Sequence, residues 1–157
     1  MNTRFDPNLT PFHDIAMEMA ARFGYSAALS LDPRLAELLR LRVAQLNPCP
    51  YCLILHSRVA DELSIPAEVV AHLAGWRESA MFSPIEKVAL AYCEGLTTYD
   101  IARFPELHDA LRTHFDEKEV AEIAAVVINM NVWTRLKLAQ GATPAADEVL
   151  RPASPSD

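Results

Sequence analysis

The sequence predicts an all-α protein, on three observations. Apolar residues recur at helical spacing along most of the chain; between these stretches stand helix-start signals, a capping side chain followed by proline or, three positions on, by glutamate; and no stretch alternates convincingly at period two. At 157 residues the chain is the size of one domain and buries a substantial core without disulfide staples. The first helix is announced by Thr10-Pro11, after which Phe12, Ile15, Ala16, Met19 and Phe23 recur on one expected inward face until Gly24. Asp32-Pro33 repeats the signal, and Leu35, Leu38, Leu39 and Leu46 form the stripe of a second helix that runs up to Pro48 and Pro50.

Two prolines so close together break a helix interior but fit a helix start, where the first N–H groups lack intrahelical partners. A third helix therefore begins at the motif, with Asn47 or Cys49 as cap, and runs through Leu63. Pro66 opens a short helix carrying Val69, Val70 and Leu73 that ends near Gly75-Trp76. Ser83-Pro84-Ile85-Glu86 is a capping box whose helix reaches Leu96 or Thr97. Pro105 to His114 forms another short helix, and Asp116-Glu117-Lys118-Glu119 caps a long one that Gly141 closes. From Val120 to Trp133 that last helix is apolar on almost every side, the pattern of a central or subunit-interface helix. The expected domain is therefore residues 1–141, followed by a loosely ordered, proline-rich tail over 142–157.

Composition narrows the function. A net charge of −7 without a dense basic block argues against nucleic acid as a partner, and no apolar run is long enough to cross a bilayer. The segment Met1-Asn2-Thr3-Arg4-Phe5-Asp6-Pro7 has neither the basic nor the apolar region of a signal peptide, which places the expected chemistry in the cytoplasm, where thiols start reduced.

The chemistry concentrates in Leu46-Asn47-Pro48-Cys49-Pro50-Tyr51-Cys52-Leu53-Ile54-Leu55-His56. Positions i, i+3 and i+4 share a helix face, so Cys49, Cys52 and His56 form one small patch. A thiol with the usual pKa of about 8.5 is only slightly ionised at neutral pH, so reactivity needs the anion to be stabilised. The helix N-terminus and His56 are the available means, and both are expected to act more directly on Cys52, leaving Cys49 as resolving thiol. Glu37, twelve positions before Cys49, is the candidate carboxylate behind His56; its competing reading is a solvated residue paired with Arg40. A zinc site needs a fourth ligand that no second Cys or His pair supplies, and a thioredoxin-type site needs a βαβ unit absent from a helical chain. Cys93 reads as a small core residue, and Trp76 and Trp133 as packing anchors. His13, His72, His108 and His114 read as surface or packing residues, and Tyr51 either lines a pocket or covers a neighbouring helix.

The run Glu37-x11-Cys49-Pro50-Tyr51-Cys52-x3-His56, preceded by Leu41-Arg42-Val43-Ala44-Gln45-Leu46-Asn47, resembles the alkylhydroperoxidase D-like branch of the carboxymuconolactone decarboxylase family. The likeness continues through Phe82–Tyr92, Glu94-Gly95-Leu96-Thr97 and Asn131–Leu136, covering about residues 10 to 141. The resemblance implies a single-domain helical bundle that oligomerises, commonly as trimers or hexamers. It also implies a thiol-dependent reductase of organic hydroperoxides or hydrogen peroxide, with Cys52 peroxidatic, Cys49 resolving, His56 the base and Glu37 the end of a proton relay. An external dithiol, typically a lipoyl-type carrier, resets such an enzyme, and no metal, flavin or haem is required. The sequence departs from the family pattern in Pro48 for glycine, Tyr51 for histidine and Thr134 for asparagine, differences that bear on rate and reductant. The lactone decarboxylase branch works without this cysteine pair, so a lyase of that type is the lesser reading. A redox-sensing or binding protein whose Cys49–Cys52 disulfide alters contacts is another, and a metal-binding helical module a third.

Overall fold

Side-chain caps open four of the helices in the computed structural model, which describes residues 4–143. Asp32 accepts the N–H of Leu35 to start α2 (Pro33–Leu46), and Cys49 accepts that of Cys52 to start α3 (Pro50–Glu62). Reciprocal capping boxes, Ser83 with Glu86 and Asp116 with Glu119, start α5 (Pro84–Thr98) and α7 (Glu117–Gln140). Proline occupies the first turn of α2, α3 and α5, where its missing N–H costs nothing. The remaining elements are α1 (Phe12–Phe23), α4 (Ala67–His72) and α6 (Phe104–Arg112), with single 3-10 turns at Pro7–Leu9 and Leu73–Gly75. Among the described residues there is no strand, so the all-α expectation is met and the predicted starts fall within about two residues of the observed ones.

The centre of the fold is α2, packed on α3, α5 and α7. Leu38, Leu39, Val43 and Ala44 are fully buried, and so are Glu37 and Arg40. Those charges hide the burial from hydropathy, which is why α7 alone looked central. Helix α7 is surrounded too, lying against α1, α2 and α5, although Ile128 remains exposed. On α5, Gly95 lets α6 approach: a Cβ there would collide with the Leu107 side chain.

Two further points correct the expectations. Helix α1 packs on α7 but does not turn its whole apolar stripe inward: Ala16 is buried, whereas Phe12 and Ile15 are 51% and 54% exposed. The physical reason is that α1 lies at the edge of the bundle. Within the stretch expected as a tail from residue 142, Ala142 is buried and its N–H bonds to the Lys137 carbonyl at 2.9 Å. Residues from 144 onward lie outside the described residues.

A polar staple joins the layers. Glu94 of α5 accepts from Trp76 Nε1 at 2.8 Å and from Arg42 Nη2 of α2 at 2.6 Å, and pairs with Arg77. Burial alone would raise its carboxyl, but these donors outweigh burial and hold it below the usual range. No helix among the described residues is long and apolar enough to cross a membrane.

Candidate active site

Pro50 at the first helical position makes Cys49 the N-cap of α3, and this decides where the helix N-terminus acts. The Cys49 Sγ accepts the Cys52 backbone N–H at 3.4 Å, so the partial positive charge of the helix end is aimed at Cys49. The expectation that Cys52 feels this effect more directly is thereby corrected. Cys49 is held at about 7, first because it accepts a hydrogen bond from the Cys52 thiol; burial opposes, and backbone N–H groups and the Lys137 charge assist. Donating that bond pushes Cys52 up, and burial and the negative Cys49 push it further. The pair thus carries its first negative charge on Cys49 while Cys52 holds the proton.

The turn feeding α3 is clamped from α7. Asn47 Nδ2 donates to Asn131 Oδ1 at 2.9 Å and to Thr134 Oγ1 at 3.1 Å. Thr134, one of the departures from the family pattern, is wholly buried in this clamp. Behind the cysteines stands Glu37, 0% exposed, with one carboxylate oxygen 2.5 Å from His56 Nδ1 and the other accepting from Arg40 Nη1 at 3.1 Å. The carboxylate fixes the imidazole tautomer with the hydrogen on Nδ1, leaving Nε2 as acceptor. Arg40 in turn donates to the carbonyls of Phe23 and Gly24, tying the end of α1 to the site. The pairing of Glu37 with Arg40 was therefore legible as a contact, but it is buried and not solvated.

Cys52 and His56 line a cavity of about 360 Å³, bounded by α1, α2, α3 and α7. No hydrogen bond joins the two directly, so a proton passing between them needs an intervening oxygen. Tyr25 stands edge-on to His56 with ring centres 6.2 Å apart. Sequence reasoning missed several wall residues. His13, Trp133 and Lys137 come from helices distant in sequence from the motif, and no local spacing marks them. His13, expected to be a surface or packing residue, and Trp133, expected to be a packing anchor, are both cavity residues, their rings 5.9 Å apart and nearly perpendicular. Tyr51 also lines it. Cys93 lies elsewhere, fully buried, its thiol pushed up to about 12 by burial and facing the Leu39 carbonyl. Among the described residues, no group of three or more His, Cys, Asp or Glu is placed to hold a metal ion.

A single helical domain with a capped C-x-x-C, a buried Glu–His pair and a cavity defines a class of thiol-bearing helical proteins. The chain belongs to the carboxymuconolactone decarboxylase family, whose model matches residues 16–95. YdfG of Bacillus subtilis is 30% identical over 118 residues, which are 74% of this chain and 80% of that protein. YnjA of Escherichia coli is 32% identical over 113 residues, 69% of this chain and 60% of its own length. A protein of unknown function from Agrobacterium tumefaciens superposes with a TM-score of 0.80 at 22% identity, covering 91% of this chain and 99% of its own. The alkylhydroperoxidase AhpD core structure of a peroxidase-related protein from Ralstonia eutropha gives 0.75 at 17% identity, over 87% and 72%. Those likenesses establish a shared fold.

Proposed function

We propose that the protein is a thiol-dependent hydroperoxide reductase of the cytoplasm. The observation that carries this reading is the buried Glu37–His56 contact at 2.5 Å, set behind a C-x-x-C pair whose Cys52 faces the cavity. The shared fold of the AhpD core structure supports it.

The reaction begins with the pair sharing one proton. Cys52 must lose its hydrogen to attack, and Cys49 thiolate beside it is one acceptor, His56 Nε2 through an intervening oxygen the other. The Cys52 thiolate attacks one peroxide oxygen; the O–O bond breaks and the sulfur loses two electrons to become a sulfenic acid. The leaving oxygen takes the proton that Cys52 gave up, from the imidazolium or from the Cys49 thiol, and departs as alcohol, or as water from hydrogen peroxide. Glu37 stabilises the imidazolium meanwhile through its contact with Nδ1, and Arg40 holds the other carboxylate oxygen in place. The Cys49 thiolate then attacks the sulfenic sulfur, forming the disulfide and expelling hydroxide, which takes a proton from solvent and leaves as water. An external dithiol, of lipoyl type, returns two electrons and two hydrogens by thiol–disulfide exchange. The working unit is a homo-oligomer, a trimer or hexamer, in which a second copy covers the exposed Phe12 and Ile15 of α1.

The test is consumption of cumene hydroperoxide in the presence of dihydrolipoamide. Wild type turns over; Cys52→Ser is inactive; Cys49→Ser stops after one event at a sulfenic acid that dimedone traps. Turnover by Cys52→Ser, or none by wild type with any dithiol, overturns the proposal.

A further inference from the structure

Lys137, near the end of α7, reaches into the cavity with its Nζ 4.8 Å from the centre of the Tyr51 ring and 5.4 Å from that of Trp133. It is half-buried, and among the described residues no carboxylate lies within ion-pairing distance of it. The other cation on the wall, Arg40, is already held by Glu37 and two carbonyls. Much of the remaining lining is apolar, with Met17, Ala20, Leu55 and Met130. Burial draws the lysine down, and the negative charge of the cysteine pair is what pushes it back. A half-buried ammonium in a largely apolar chamber is complementary to an anionic head on an apolar body.

We propose that Lys137 is an anion anchor in the substrate cavity, and that the substrates are hydroperoxides bearing a carboxylate on an apolar frame. A monoanion is the fit because the cavity presents one ammonium that, among the described residues, has no carboxylate within ion-pairing distance: a phosphate calls for a fork of donors or a helix N-terminus, and the N-terminus of α3 is occupied by Cys49. The anchor lies over Tyr51, the residue preceding Cys52, so head group and reacting oxygen belong to one small molecule. This inference rests on the peroxidase reading only for the reacting group; the anchor itself does not depend on it.

The experiment compares para-carboxy cumene hydroperoxide with its methyl ester, following thiol loss in reduced protein at matched concentrations. Effects of Lys137 on the thiolate act on both compounds, so the acid-to-ester rate ratio isolates recognition of the carboxylate. In wild type the ratio is expected to be about tenfold, as for one charge-assisted contact. It falls to about one in Lys137→Met and survives in Lys137→Arg. Equal rates in wild type, or a preference that persists in Lys137→Met, overturn the anchor. If neither compound consumes thiols, the peroxidase reading fails, and binding of para-isopropylbenzoate decides the anchor, read by tryptophan fluorescence with Trp133 beside Lys137. Saturable binding lost in Lys137→Met supports it; no binding to wild type overturns it.

Discussion

Replacing Glu37 by Gln keeps the volume of the side chain and removes its charge from a site with no exposure to water. His56 Nδ1 retains an amide oxygen to bond, but Arg40 then loses its carboxylate and keeps only the carbonyls of Phe23 and Gly24. Breaking a buried ion pair from one side costs about 3–5 kcal/mol, and because Gln preserves packing and one acceptor we take the lower end, about 3 kcal/mol. With a urea dependence of about 2 kcal/mol per molar, the unfolding midpoint drops by about 1.5 M. The cause is separable from a general packing fault. If the penalty is the stranded Arg40, then Glu37→Gln costs less in an Arg40→Met background, and the double-mutant cycle shows a coupling of about 2 kcal/mol. Urea unfolding followed by circular dichroism on the four proteins measures this. Oxidation of the thiols by cumene hydroperoxide should also slow, by about a hundredfold, as His56 loses its stabilising anion. A midpoint shift below about 0.3 M, or strictly additive variants, would refute the reasoning that Glu37 and Arg40 form one buried unit.

Other outcomes follow from the same geometry. Alkylation of the cysteine pair by iodoacetamide should rise through a midpoint near 7, and Cys52→Ala, by removing the thiol that donates to Cys49, should move the midpoint upward; an unmoved midpoint would deny that the bond is responsible. Glu94 has a folded-state pKa held below its ordinary value, so its contribution to stability is present above the unfolded pKa and lost as pH falls through the folded one. Thermal unfolding below about pH 4.5 should therefore lose more stability in wild type than in Glu94→Gln, which starts lower and shows a shallower acid limb. Ile15→Glu on the exposed face of α1 should lower the mass found by sedimentation equilibrium if that face joins subunits, and an unchanged mass would assign the interface elsewhere.

Much of this architecture was legible because its signals are local. The capping boxes at Ser83 and Asp116 and the prolines at 33, 50 and 84 place helix starts through backbone chemistry that acts within one turn. The same locality identified Cys49, Cys52 and His56 as neighbours. What escaped depends on the third dimension. Glu37 was a candidate carboxylate whose competing reading was a solvated partner of Arg40, because charges are usually solvated, and only the packing of α3, α5 and α7 around α2 shows both enclosed. The apolar stripe of α1 read as inward because periodicity marks a face without saying whether anything covers it. Lys137 and Trp133 reach the cysteines from some eighty positions away along the chain, a juxtaposition no spacing rule encodes.

The central claim is that Cys52, paired with Cys49, reacts with a peroxide. Fully reduced protein given a stoichiometric amount of cumene hydroperoxide, without reductant, tests it through intact mass and free-thiol content over seconds to minutes. The account predicts loss of two hydrogens and of two of the three thiols, with Cys93 left free and the new linkage mapped between Cys49 and Cys52. Thiols that survive for hours in the wild type, or the same rapid loss in Cys52→Ser, would contradict it.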